Sequence, residues 1–129
     1  MVSSYAWDTA IAFIQKTVSD YGNSSPQGNY YDTKITYTGI ADTEKNKQTK
    51  ANGTATLIPT GQTTGVCNIY DMGGNVYEWT TESCSYTNNP YTLRGGRYNS
   101  DFANIPAGSR SYNSGNADDS FGFRATLFL

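Results

Sequence analysis

Only one stretch of the chain repeats at a helical period, and it lies at the very beginning. From Ser4 the sequence runs Tyr5, Ala6, Trp7, Asp8, and Trp7, Ile11, Ile14 and Val18 then recur at the spacing of one helix face. A serine ahead of such a face is a capping residue, so a capped amphipathic helix is expected here, with its apolar stripe in the core. Beyond Val18 the helical period stops. Residues Ser19 to Thr64 turn to Gly, Asn, Ser, Thr and Lys with sparse apolar positions, which predicts long irregular loops broken by extended stretches at Lys34 to Thr38 and Thr54 to Ile58. Asp42 to Lys50 is charged and reads as a solvated loop. Val76 to Thr81 has strand propensity, and so do Tyr91 to Arg94, ahead of Gly95 and Gly96, and Phe123 to Leu129. A long, polar, turn-rich stretch separates the last two.

One helix, a few short antiparallel strands and much loop define an α+β fold. With 129 residues there is material for one core, so residues 1–129 form a single domain. The chain is either compact in itself or the C-terminal part of a longer protein.

Composition removes several kinds of function. There is no histidine, which takes away the commonest general base and metal ligand. Five lysines and four arginines are scattered in a chain of net charge -2, so no basic footprint for nucleic acid exists. No apolar run nears the roughly 20 residues of a membrane span, so no membrane insertion is expected, and Met1 to Ala10 lacks the parts of a signal peptide. Cys67 and Cys84 permit one disulfide or two free thiols, but cannot supply the four ligands of a thiol-based zinc site. Asp71, Glu78 and Glu82 could pair for acid–base work, yet Asp71 and Glu78 read better as buried carboxylates that hold loops by hydrogen bonds. The glycosylation patterns Asn23-Ser24-Ser25 and Asn52-Gly53-Thr54 are too short to carry meaning.

Three motifs stand in order: Asn68-Ile69-Tyr70-Asp71-Met72-Gly73-Gly74-Asn75-Val76-Tyr77-Glu78-Trp79-Thr80, then Leu93-Arg94-Gly95-Gly96, then Gly122-Phe123-Arg124. Together they resemble the formylglycine-generating-enzyme (sulfatase-modifying factor) family. The resemblance implies a C-type-lectin-like fold, with Trp79 in the core and the Gly-Gly and Gly-Phe-Arg segments shaping the strands below a site. The family's enzymes use a cysteine pair upstream of the Gly-Phe-Arg segment, where this chain reads Ser109 to Gly115 without a cysteine. A second enzymatic branch binds iron through histidines, which are missing altogether. No catalytic residue is therefore expected. Relatives bind calcium through loop oxygens, which makes Asn75 and Glu78 the one candidate cation pair and calcium the one candidate cofactor. Asp118 and Asp119 could also hold a cation, but the Glu-Pro-Asn and Gln-Pro-Asp pairs of calcium-dependent sugar-binding lectins are missing.

The family's other use of this fold is as the variable protein of diversity-generating retroelements in phages and bacteria. There, adenine-directed mutagenesis rewrites pyrimidine-ended codons, which can never become Lys, Glu, Gln, Met or Trp. Residues 97–121 contain none of these five types, although they make up 16 of the other 104 residues. By chance such a window would arise roughly two times in a hundred.

That segment is composed like an antibody paratope, rich in aromatic rings with few rotors and in short adaptable hydrogen-bonding groups. The expected contact residues are Arg97, Tyr98, Asn99, Ser100, Asp101, Phe102, Asn104, Ile105, Ser109, Ser111, Tyr112, Asn113, Ser114, Asn116, Asp118, Asp119, Ser120 and Phe121. Tyr98, Phe102, Ile105, Tyr112 and Phe121 would anchor a partner, and the Asn and Asp residues would tune specificity. Pro106, Ala107, Gly108 and Arg110 are assigned to the scaffold. The expected function is a non-catalytic receptor module for a protein or other surface ligand on a target cell, located on a phage virion or bacterial surface. Two alternatives remain: an enzyme of the family with unrecognised reactive groups, and a structural virion or surface domain whose segment side chains point inward.

Overall fold

The computed structural model describes residues 1–23, 27–38, 47–61 and 65–125. Its helix, α1 (Ser4–Ile14), begins at a cap one residue earlier than expected: the Ser3 hydroxyl accepts the Ala6 N–H at 3.1 Å. Ser4 is buried instead and shares a hydrogen bond with Thr80. Trp7, Ile11 and Ile14 enter the core with Val2, Tyr21, Met72 and Ala107. Each such side chain contributes roughly 1.5–3 kcal/mol of burial free energy. Val18 lies beyond the helix end yet still packs, half-buried, against that cluster.

Among the described residues six strands follow: β1 (Ile35–Thr38), β2 (Lys47–Lys50), β3 (Tyr77–Ser83), β4 (Tyr91–Arg94), β5 (Arg110–Asn113) and β6 (Phe121–Phe123). The first two form an antiparallel ribbon. The others make one sheet in the order β5-β4-β3-β6, antiparallel except for the β3–β6 pair. Strand alternation gives this sheet two unlike faces. One carries Glu78, Thr80, Glu82, Thr92 and Arg94 towards α1, where Asp8 meets Arg94. The other carries Tyr77, Trp79, Tyr91, Leu93, Phe121 and Phe123 away from it.

Several expectations are corrected. Thr54 to Ile58 is not a strand; Ile58 alone of these is buried, and the Asn75 side chain holds its backbone N–H and C=O. Lys47–Lys50 is a strand rather than a solvated loop, and Lys50 is buried because its ammonium donates to the carbonyls of Tyr30, Thr33, Ala51 and Thr54. The turn-rich stretch contains β5. Trp79 is half-buried on the outer sheet face, and the core tryptophan is Trp7. The last strand starts at Phe121, and the remainder expected to Leu129 lies, at 126–129, outside the described residues, as do Ser24, Ser25 and residues 42–46. Cys67 and Cys84 are free thiols.

Three arginines tie the layers together. Arg124 donates to both Glu78 carboxylate oxygens at 2.8 and 2.7 Å and to the carbonyls of Tyr70 and Asp71, with its guanidinium 5.5 Å from the Trp7 ring centroid. Arg94, fully buried, reaches Asp8 and the Gly108 carbonyl. Arg110 joins Asp8 to Glu82. Burial tends to raise Asp8, but the two guanidiniums beside it hold its carboxyl below the usual range.

Candidate binding surface

Both ends of the 97–121 segment are fastened to the same place. The Tyr98 N–H donates to the Asn75 carbonyl at 3.0 Å, and the Tyr77 N–H to the Ser120 carbonyl at 2.8 Å. Between them Arg97 Nη1 donates to Ser120 Oγ at 3.0 Å, while the Arg97 guanidinium lies 5.5 Å from the Tyr77 ring centroid. Ser120 is fully buried, and its N–H and hydroxyl both go to Asp118 Oδ1; these hydrogen bonds hold the Asp118 carboxyl below its usual range. The segment is thus fastened at both ends beside β3 and, through β5, along β4, with loops on either side of that strand.

The contact residues inferred from sequence divide into two groups. Asn99, Asp101, Asn104, Tyr112, Ser114, Asn116, Asp118 and Asp119 are exposed. Arg97, Tyr98, Ser100, Phe102, Ile105, Ser109, Ser111, Asn113 and Phe121 are half-buried, and Ser120 is buried. The inward group has definite structural work. Phe102 sets its ring edge-on to Tyr30 at 6.3 Å and donates its N–H to Asp32. Phe121 packs edge-on against Tyr77 at 6.0 Å and Trp79 at 5.4 Å. The Ser111 hydroxyl donates to the Tyr77 hydroxyl oxygen at 3.2 Å. The Asn113 side-chain oxygen accepts the N–H groups of Gly115 and Asn116, which fixes the turn after β5.

Of the five expected anchors only Tyr112 is exposed, at 41%. Its ring stacks edge-on with Tyr86 at 5.1 Å, and Tyr86 is itself 60% exposed on the β3–β4 connection. Sequence reasoning missed Tyr86, Trp79 and Tyr91, which lie outside the segment but border it. The alternation Tyr77, Trp79 in one strand and Tyr91, Leu93 in the next is the signal for a shared aromatic face. Of the residues assigned to the scaffold, Ala107 accepts at its carbonyl from Trp7 Nε1 and Gly108 donates its N–H to the Gly22 carbonyl, whereas Arg110 is exposed.

The candidate calcium donors do not fit a cation. The Asn75 side chain is committed to Asn29 and to both backbone groups of Ile58, and the Glu78 carboxylate to Arg124. Burial pushes Glu78 above the ordinary carboxylate range, with the Arg124 charge opposing it. Asp71 accepts from the Gly61 N–H and so ties a loop, but unlike Glu78 it is only half-buried, against the expectation that both carboxylates are buried. Among the described residues no group of three or more His, Cys, Asp and Glu is placed to hold a metal, and no helix is long and apolar enough to cross a membrane.

The α+β layout and the three motifs, which supply the Glu78–Arg124 pair and the buried Arg94, define the class, and comparison with known families gives its name. Residues 3–127 match the sulfatase-modifying factor enzyme 1-like domain, and the chain belongs to that family. No curated protein and no solved structure matches it.

Proposed function

We propose that the chain is a non-catalytic binding module on a C-type-lectin-like frame, whose exposed positions between Arg97 and Phe121 form a variable contact surface diversified by a retroelement. The carrying observation is the separation of frame from surface. Arg94, Arg110, Arg124, Trp7 and Tyr30 hold the fold, whereas Asn99, Asp101, Asn104, Ser114, Asn116 and Asp119 face solvent from a loop clamped at both ends. Such side chains are replaceable at little cost in stability, as a diversified surface requires. The absence of Lys, Glu, Gln, Met and Trp from residues 97–121 supports the same reading. Its ligand would be a protein or other surface ligand on a target cell, with the module carried on a phage virion or bacterial surface.

The test is a displayed library randomised at those six positions. Most members are expected to keep cooperative unfolding with midpoints within a few degrees of the parent, and binders to several unrelated target proteins to be recovered. Widespread loss of folding, or a library without binders, would return the enzyme and structural readings to the front.

A further inference from the structure

Beside the turn that follows β5 lies a cleft of about 380 Å³, lined by Met1, Trp79, Thr80, Tyr91, Ser114 and Gly115. Two of its walls are the rings of Trp79 and Tyr91, set at 87° with centroids 6.2 Å apart. Gly115 closes a third side. Its φ is +96°, and a Cβ there would stand 3.0 Å from Tyr91 Cε2, so the backbone lies directly against the ring. Tyr91 is 51% and Met1 63% exposed, which leaves the cleft open to a visitor. None of the lining side chains is charged at neutral pH. The lining's polar groups are largely committed: Thr80 Oγ1 bonds with Ser4 and the Thr92 carbonyl, and the Gly115 N–H with Asn113.

We propose that this cleft is the socket of the binding surface, and that it takes one uncharged apolar side chain, aromatic or branched aliphatic, from a protein partner. The inference rests on the reading of residues 97–121 as a contact surface. A cationic group entering the cleft would lose hydration and meet no carboxylate. A sugar ring asks for several directional hydrogen bonds, and the side chains of the lining offer the hydroxyls of Ser114 and Tyr91 and the Trp79 indole N–H, with no carboxylate or amide among them. An apolar side chain meets two ring faces and a thioether, the surroundings of an interface hot spot.

The socket is also continuous with the variable surface. Ser114 and Gly115 belong to the segment, whereas Trp79 and Tyr91 lie on β3 and β4 outside it. Partner choice is thereby divided: the constant rings of Trp79 and Tyr91 hold an apolar anchor, and the exposed polar positions around them, Ser114 included, decide which anchor-bearing surface is accepted.

The test is an NMR titration of the whole chain with N-acetyltryptophanamide, N-acetylleucinamide, N-acetyl-lysinamide and methyl glucoside. The readout is the Trp79 indole N–H, assigned by its loss in Trp79→Phe, with the buried Trp7 indole as internal reference. The two apolar amides are expected to shift the Trp79 signal and the other probes to leave it in place. Affinity should fall at least about tenfold in Tyr91→Ala, and hold within about twofold in Tyr91→Phe and in Tyr31→Ala, whose exposed ring lies outside both the cleft and the segment. Methyl glucoside shifting the signal in place of the amides, or silence from every probe, overturns the proposal. Amide binding at Trp79 combined with an invariant segment in nature would instead leave the socket standing and remove the variable-surface reading.

Discussion

Arg124 stands two positions after Gly122 in a motif that local propensity explains poorly, because its purpose is 46 residues away at Glu78. Pairing of this kind is set by tertiary geometry and is legible in sequence only as a family motif. Removing the guanidinium would strand a buried carboxylate, so Arg124→Ala should cost about 3 kcal/mol in urea unfolding. Replacing both partners by apolar residues should cost less than the sum of the single changes. A loss under about 0.5 kcal/mol would show that the pair does not hold the layers. The buried tyrosines give a second prediction at this scale. Burial pushes the Tyr21 hydroxyl up to about 12, and it raises Tyr30, whose hydroxyl donates to the Gly95 carbonyl, further still. Both folded values lie above that of the unfolded chain, near 10. Their contribution is therefore fully present below about pH 10 and is lost as pH rises towards Tyr21's folded value of about 12. Alkaline titration followed by tyrosinate absorbance and circular dichroism should show these two ionising together with unfolding. Ionisation of both before any loss of structure would contradict this.

At the scale of elements, the helix and the strand Tyr91–Arg94 were legible because their side-chain periods and flanking glycines agree with their burial. β2 and β5 were not, since Lys-Gln-Thr-Lys and Arg-Ser-Tyr-Asn carry no apolar alternation. These strands form because neighbours supply what the pattern lacks: β4 gives β5 its ladder, and four carbonyls accept the Lys50 ammonium. The displaced cap follows from competition between two serines. Ser4 is drawn inward to Thr80, which leaves Ser3 to cap. Ser3→Ala should cost about 1 kcal/mol. Gly74→Ala should cost considerably more, because φ is +70° and a Cβ would lie 2.3 Å from the Asn29 carbonyl oxygen. Thermal unfolding of the two variants checks the order, and a reversed ranking would show that the close approach of residues 29 and 74 is not built into the fold.

For the whole molecule, composition marks out the candidate segment, but it does not give the direction of the side chains within it. Aromatic residues in a Tyr/Asn/Ser-rich stretch serve a paratope and a loop-closing core equally well. Phe102 and Phe121 turn inward to Tyr30, Tyr77 and Trp79, while the exposed rings at the rim, Tyr86 and Tyr91, come from the neighbouring β-hairpin. The surface is thus a composite of a rigid aromatic border and a polar tip. Alanine at Asn99, Asn104 or Asn116 should change stability by no more than about 0.5 kcal/mol, whereas Arg97→Ala, which opens the clamp on Ser120, should exceed 1 kcal/mol. The most direct measurement is deep sequencing of the 3′ end of this gene across its natural population. The account predicts substitutions concentrated at pyrimidine-ended codons for the exposed positions between Arg97 and Phe121, with Trp79, Tyr91, Arg94 to Gly96 and Gly122 to Arg124 unchanged. An invariant segment, or variation spread evenly along the chain, would contradict it.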